Sequence, residues 1–99
     1  MMIYVADLRL DTDTREVSRA SKSIHLTKQE LKLLQFLMDH KDEPVSREQI
    51  LSHIWHGAGT IKTRIVDVYI GYLRKKIDHG FEKKLINTLH GNGYMISGS

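Results

Sequence analysis

Residues 63–77, Thr63-Arg-Ile-Val-Asp-Val-Tyr-Ile-Gly-Tyr-Leu-Arg-Lys-Lys-Ile77, decide how this chain is read. Val66, Ile70, Leu73 and Ile77 recur at intervals of 4, 3 and 4, which places them on one stripe of an α-helix. At about 100° per residue, Arg64, Val68, Gly71 and Lys75 fall on the opposite side. Tyr72 lies beside that side, with Arg74 and Lys76 on its flanks. The spacing predicts a helix with a buried apolar stripe and an outward face that is basic, aromatic and partly small. A helix that enters a DNA major groove needs such a face.

Downstream, Asp78-His-Gly80 ends the helix, and Leu85-Ile-Asn-Thr-Leu-His-Gly-Asn-Gly-Tyr94 reads as a β-hairpin with a glycine-flexed tip. Upstream, two capping boxes stand out. Thr27-Lys-Gln-Glu30 opens a helix whose expected buried stripe is Leu31, Leu34, Leu37 and Met38. That helix stops before Lys41-Asp-Glu-Pro44, since proline cannot continue it. Ser46-Arg-Glu-Gln49 opens a short second helix with Ile50, Leu51 and Ile54 inward, closed by His56-Gly-Ala-Gly59. Thr63 is the expected N-cap of the third helix. Residues 1–26 read as a small antiparallel sheet. One or two strands run over Ile3–Leu10, where Ala6-Asp7 blurs the alternation. A turn follows at Asp11-Thr-Asp-Thr14, then short strands at Val17–Arg19 and Ile24–Leu26. The expected organisation is one domain over 1–99, with the sheet at 1–26, a three-helix core at 27–78 and the hairpin at 85–97.

Charge agrees with this placement. The net charge is +3. Residues 1–61 carry 8 Lys/Arg against 9 Asp/Glu, whereas residues 62–99 carry 7 against 3. The basic excess sits entirely on the helix–hairpin segment, which points to a polyanionic partner. A solvated basic face is the plainer reading of the same numbers.

Other chemistries find little support. There is no cysteine, so no disulfide framework and no thiolate metal site are available. No apolar run approaches the roughly 18 residues of a membrane span. Met1-Met2-Ile-Tyr-Val-Ala-Asp7 meets a charge too early for a signal peptide. His53 and His56 stand at i, i+3 and could chelate a metal, but two ligands alone favour ordinary surface histidines. No Ser/His/Asp order, phosphate loop or HExxH motif appears, so neither enzymatic activity nor a cofactor is expected. His90-Gly-Asn-Gly93 is a turn signal, because no strand-to-helix unit surrounds it.

The order sheet, helix, helix, helix, hairpin describes an α+β winged helix-turn-helix. Leu26-Thr-Lys-Gln-Glu-Leu-Lys-Leu-Leu34, Val45-Ser-Arg-Glu-Gln-Ile-Leu51 with Trp55, the third-helix segment and the hairpin segment together resemble the DNA-binding effector domain of OmpR/PhoB-type bacterial response regulators. The resemblance implies transcriptional regulation through double-stranded DNA, with the third helix in the major groove, the wing in the minor groove, and head-to-tail dimers on direct repeats. It places Val68 and Tyr72 against bases, and Trp55, Arg64, Arg74 and Thr88 against phosphates. Tyr69 and Lys75 belong to the same expected DNA-binding set. His90 stands at the wing tip where the family often has Arg, and the replacement weakens the electrostatic hold of the wing. Trp55 is more simply read as plain core filler, although its ring can pack inside while its indole N–H faces a phosphate. The loop of His56, Gly57, Ala58, Gly59, Thr60, Ile61 and Lys62 falls where the family meets RNA polymerase.

This chain departs from the family at Gly71 and Tyr72, where many relatives carry Arg. Tyr72 can hydrogen-bond or stack on a thymine methyl but lacks the arginine fork that reads guanine. Gly71 either lets the backbone approach DNA closely or is a tolerated exposed residue. A receiver domain and a cognate histidine kinase are expected partners if the chain is part of a longer protein. The resemblance implies a bacterial cytoplasmic, nucleoid-associated location. The competing function is a protein-interaction winged helix that does not use DNA.

Overall fold

The computed structural model describes residues 1–55 and 62–98. Strands β1 (Met2–Val5), β2 (Leu8–Asp11), β3 (Val17–Arg19) and β4 (Lys22–Ile24) form an antiparallel meander in the order β1-β2-β3-β4. Helices α1 (Lys28–Asp39), α2 (Arg47–Ile54) and α3 (Arg64–Ile77) follow. A second, two-stranded sheet of β5 (Ile86–Leu89) and β6 (Gly93–Ile96) closes the chain. This is the winged helix-turn-helix expected from the sequence.

The turns explain two departures at the amino end. Val5 pairs with Leu8, so Ala6-Asp7 is the β1–β2 turn rather than an irregularity in one strand. Arg19 pairs with Lys22, which leaves Ala20-Ser21 as a two-residue turn and moves β4 earlier than expected. Ala20 and Ser21 both adopt positive φ, 51° and 67°, the twist that tight hairpins demand. The β4 strand therefore ends at Ile24, and Leu26 leads into α1 instead of lying in the sheet.

Both capping boxes form. The Thr27 side chain accepts from the Glu30 amide and the Glu30 carboxylate accepts from the Thr27 amide; Ser46 and Gln49 do the same for α2. Thr63 differs from expectation. Its backbone is already helical, with φ −57° and ψ −19°, and its hydroxyl caps nothing. A capping side chain requires an extended backbone. The first turn of α3 instead starts with Ile65 and Val66 donating to the carbonyls of Lys62 and Thr63.

The core gathers one stripe from each element. Val66, Ile70, Leu73 and Ile77 of α3 are fully buried, as the spacing predicted. The buried side of α1 is broader than expected: Leu33 and Phe36 join Leu34, Leu37 and Met38, while Leu31 is only half-buried. The reason is tertiary, because α1 packs at once on α2, α3, β1 and β6. On α2, Ile50 and Ile54 are buried, and Leu51 packs at the core edge. Each such buried aliphatic side chain contributes about 1.5–3 kcal/mol.

Glu30 is buried and also accepts a 2.6 Å hydrogen bond from Lys76 Nζ on α3. Burial pushes its carboxyl up, but the hydrogen bonds from Lys76 and the Thr27 amide, with the Lys76 charge, outweigh burial and hold it below the ordinary value of 4.5. A depressed carboxylate stabilises the fold above its ordinary value, and that contribution is lost as pH falls through the native one. Glu30→Gln is therefore expected to lower stability at neutral pH and to flatten the loss of stability below about pH 4.5. Urea denaturation at a series of pH values checks this; parallel curves for the two proteins would refute it.

Candidate nucleic-acid interface

With its apolar stripe in the core, α3 turns Arg64, Val68, Tyr72 and Lys75 outward. Val68 and Tyr72 are 40% and 44% exposed. Arg64 and Lys75 are exposed beside them. Tyr72 is not isolated. Its ring meets Tyr69 edge-on at 5.3 Å, and Tyr69 meets Trp55 edge-on at 5.2 Å. Tyr69 and Trp55 are half-buried against the core, so the three rings form a braced ledge with only Tyr72 projecting. The Trp55 ring packs on the core edge and remains partly exposed.

A Cβ at Gly71 would meet nothing within 4 Å, so packing within the protein does not require glycine there.

The wing lies against α3 through Arg74. Its Nη2 donates to Thr88 Oγ1 at 2.6 Å and to the Ile86 carbonyl at 3.3 Å. Two residues expected to hold phosphates separately are thus one hydrogen-bonded pair at the junction of helix and hairpin. His90 is exposed at the hairpin tip. The strand β6 is held at its root, where Val45 and Tyr94 exchange backbone hydrogen bonds of 2.8 and 2.9 Å.

The basic flank is narrower than expected. Lys76 does not flank Tyr72; it turns to Glu30, because the buried carboxylate needs a cation. Lys84 Nζ donates to the carbonyls of Asp78 and Phe81, and Lys83 Nζ donates to that of Gly98. Part of the positive excess after residue 61 therefore serves the end of α3 and the chain beyond it. Residues 56–61 of the expected polymerase-contact loop lie outside the described residues; Lys62 is exposed. His53 stacks on Phe36 at 4.5 Å, and its expected companion His56 lies outside the described residues.

Three features escaped sequence reading. Asp67 accepts from Arg47 Nη2 at 2.6 Å and from the Tyr94 hydroxyl. Burial, followed by the Asp67 hydrogen bond, pushes the Tyr94 phenol up to about 12, so it stays a donor. Arg19, 2% exposed, donates to Asp7, Asp78 and the carbonyls of Ile77 and Lys83, and its guanidinium lies 4.2 Å from the Phe81 ring centroid. Asp78, 3% exposed, also accepts from the amides of Leu85 and Ile86. An acidic residue in the first turn of a helix has a sufficient local explanation in the helix dipole, which hid the tertiary role of Asp67. The run Asp78-His-Gly80 likewise looked like a simple helix end.

Known proteins share this sequence pattern and fold. Residues 21–96 match the family described as transcriptional regulatory protein, C terminal. The transcriptional regulatory protein YkoG of Bacillus subtilis is 47% identical over 92 residues, which is 93% of this chain and 40% of YkoG. The chain thus spans less than half the length of that curated relative. Among solved structures, the response regulator DrrB of Thermotoga maritima, an OmpR/PhoB homologue, superposes with a TM-score of 0.86 at 33% identity. The match covers 98% of this chain and 44% of DrrB. The Klebsiella pneumoniae RstA DNA-binding domain, solved in complex with the RstA box, superposes with a TM-score of 0.83 at 25% identity. Here 99% of this chain and 98% of the RstA domain are covered.

Proposed function

Because the chain belongs to the OmpR/PhoB-type family of transcriptional regulatory protein C-terminal domains, we propose that it regulates transcription by reading double-stranded DNA in a sequence-specific way. The observation that carries this reading is the outward row of Arg64, Val68, Tyr72 and Lys75 on a helix whose other side is locked in the core. In this reading α3 enters the major groove and His90 approaches the adjacent minor groove. Val68 and Tyr72 face base edges and thymine methyls. Arg64, Lys75, Trp55, Tyr69 and the Arg74–Thr88 pair face the backbone, and these contacts set orientation rather than sequence.

The wider assembly follows the family. Two copies bind direct repeats head to tail, and the segment 56–62 meets RNA polymerase. Within a longer regulator, a receiver domain and its cognate histidine kinase control the assembly from the bacterial cytoplasm, where the protein associates with the nucleoid. Among the described residues, no helix is long and apolar enough to cross a membrane.

Selection from a random duplex pool, followed by fluorescence anisotropy across a salt series, tests the reading. Each phosphate neutralised should contribute about −0.9 to the slope of log affinity against log salt. Arg64→Ala should weaken all duplexes alike. Tyr72→Ala should change preference at one base step by about 1–3 kcal/mol. Absence of binding at low salt, or a flat salt response, would favour the protein-interaction alternative. An unchanged selected motif for Tyr72→Ala together with a changed one for Arg64→Ala would reverse the assigned roles.

A further inference from the structure

Five side chains form a continuous path from the wing to α2: Thr88, Arg74, Tyr94, Asp67 and Arg47. Asp67 and Arg74 stand seven residues apart on α3, about 10.5 Å along its axis. Tyr94 of β6 spans that interval. Its hydroxyl donates to Asp67 Oδ1, and its ring centroid lies 5.6 Å from the Arg74 guanidinium. Asp67 Oδ2 accepts from Arg47 at 2.6 Å at the half-exposed edge of α2, so both carboxylate oxygens are engaged by side chains of this protein. On the far side, Arg74 holds Thr88, which is the residue opposite Tyr94 in the hairpin register.

We infer that Asp67 is a positioning residue for DNA recognition, fixing through Tyr94 the separation between the wing and the recognition helix. The inference rests on the DNA-reading function proposed above. In that function α3 and the wing occupy neighbouring grooves, and one sugar–phosphate strand passes between them. Arg74 and Thr88 stand at that junction. Their grip on the strand depends on a wing-to-helix spacing held to within a fraction of an ångström. A tyrosine anchored at its backbone by Val45 and at its hydroxyl by a doubly engaged carboxylate supplies a rigid spacer. Asp67 thus acts on DNA through Tyr94 and Arg74 without touching it.

A double-variant cycle tests this with Tyr94→Phe, which keeps the buried ring and removes only the hydroxyl. Affinity for the selected duplex is measured across a salt series for wild type, Tyr94→Phe, Arg74→Ala and the double variant, with thermal unfolding of each. Tyr94→Phe is expected to bind about five- to tenfold more weakly. Its salt slope should be shallower by about one phosphate, near 0.9. In the Arg74→Ala background the same substitution should have little further effect. Asp67→Asn, which retains an acceptor for the hydroxyl, should bind better than Asp67→Ala. Unchanged affinity for Tyr94→Phe, or losses that multiply in the double variant, would overturn the positioning role while leaving DNA reading intact. A wild type that binds no duplex would overturn both.

Discussion

Asp78→Ala is expected to lower the unfolding free energy by about 3–5 kcal/mol, the largest loss foreseen for a single substitution in this chain. Three donors converge on this buried carboxylate: Arg19 Nη1 at 3.1 Å, the Leu85 amide at 3.0 Å and the Ile86 amide at 3.1 Å. Alanine leaves the two amides without acceptors, each costing about 1–3 kcal/mol when buried. It also leaves the Arg19 guanidinium, buried and cationic, with Asp7 as its remaining carboxylate partner. Domains of this size have total stabilities of roughly 5–15 kcal/mol, so the variant should be mostly unfolded under mild denaturation. Urea titration followed by Trp55 fluorescence gives the number, since Trp55 is the only tryptophan. Asp78→Asn, which keeps an acceptor and loses the charge, should fall between alanine and wild type. A loss under about 1 kcal/mol for alanine would mean that water replaces the carboxylate and that the network is not needed.

Gly93→Ala is the second large effect, expected to cost about 3 kcal/mol or more. Gly93 has φ +88°, a conformation that strains any side chain. A Cβ there would also stand 2.1 Å from the Val45 carbonyl oxygen and 2.8 Å from the Ser46 Cα, both backbone atoms that cannot move aside alone. Relief requires breaking the Val45–Tyr94 bridge that holds the wing root. DNA affinity should therefore fall along with the melting temperature. Gly91 is the internal control. Its φ is +80°, but a Cβ would meet nothing within 4 Å. Gly91→Ala should cost only about 1 kcal/mol, the conformational part. Equal melting temperatures for the two variants would show that the wing root yields easily, against this account.

These two glycines mark how far the sequence could be read. The run His90-Gly-Asn-Gly93 announced a tight turn, and the turn is there. Nothing in it distinguished Gly91, which faces open space, from Gly93, which lies against the start of α2. The candidate interface divides in the same way. The stripe of Val66, Ile70, Leu73 and Ile77 fixed which side of α3 is buried, and so which side offers Val68 and Tyr72. The partners of the charged residues were not legible. Lys76 looked like part of a basic flank and instead neutralises Glu30, 46 residues away. Arg74 and Thr88, expected at phosphates as separate residues, are hydrogen-bonded to each other across 14 residues.

The sequence by itself determined the three helices, the hairpin, their order and the buried side of α3. The two capping boxes, the proline stop and the apolar periodicity all act over three or four residues, so their signals can be read without knowing the fold. The tertiary structure alone decided the partners of Arg19, Asp67 and Lys76. Arg19 finds Ile77 and Asp78 at separations of 58 and 59 residues, and Asp67 finds Arg47 and Tyr94 at 20 and 27. Such groups stay hydrated in the unfolded chain. They acquire partners only when burial of the α1 and α3 stripes brings the sheet, α2 and the wing together, where an unpaired charge or amide would be costly.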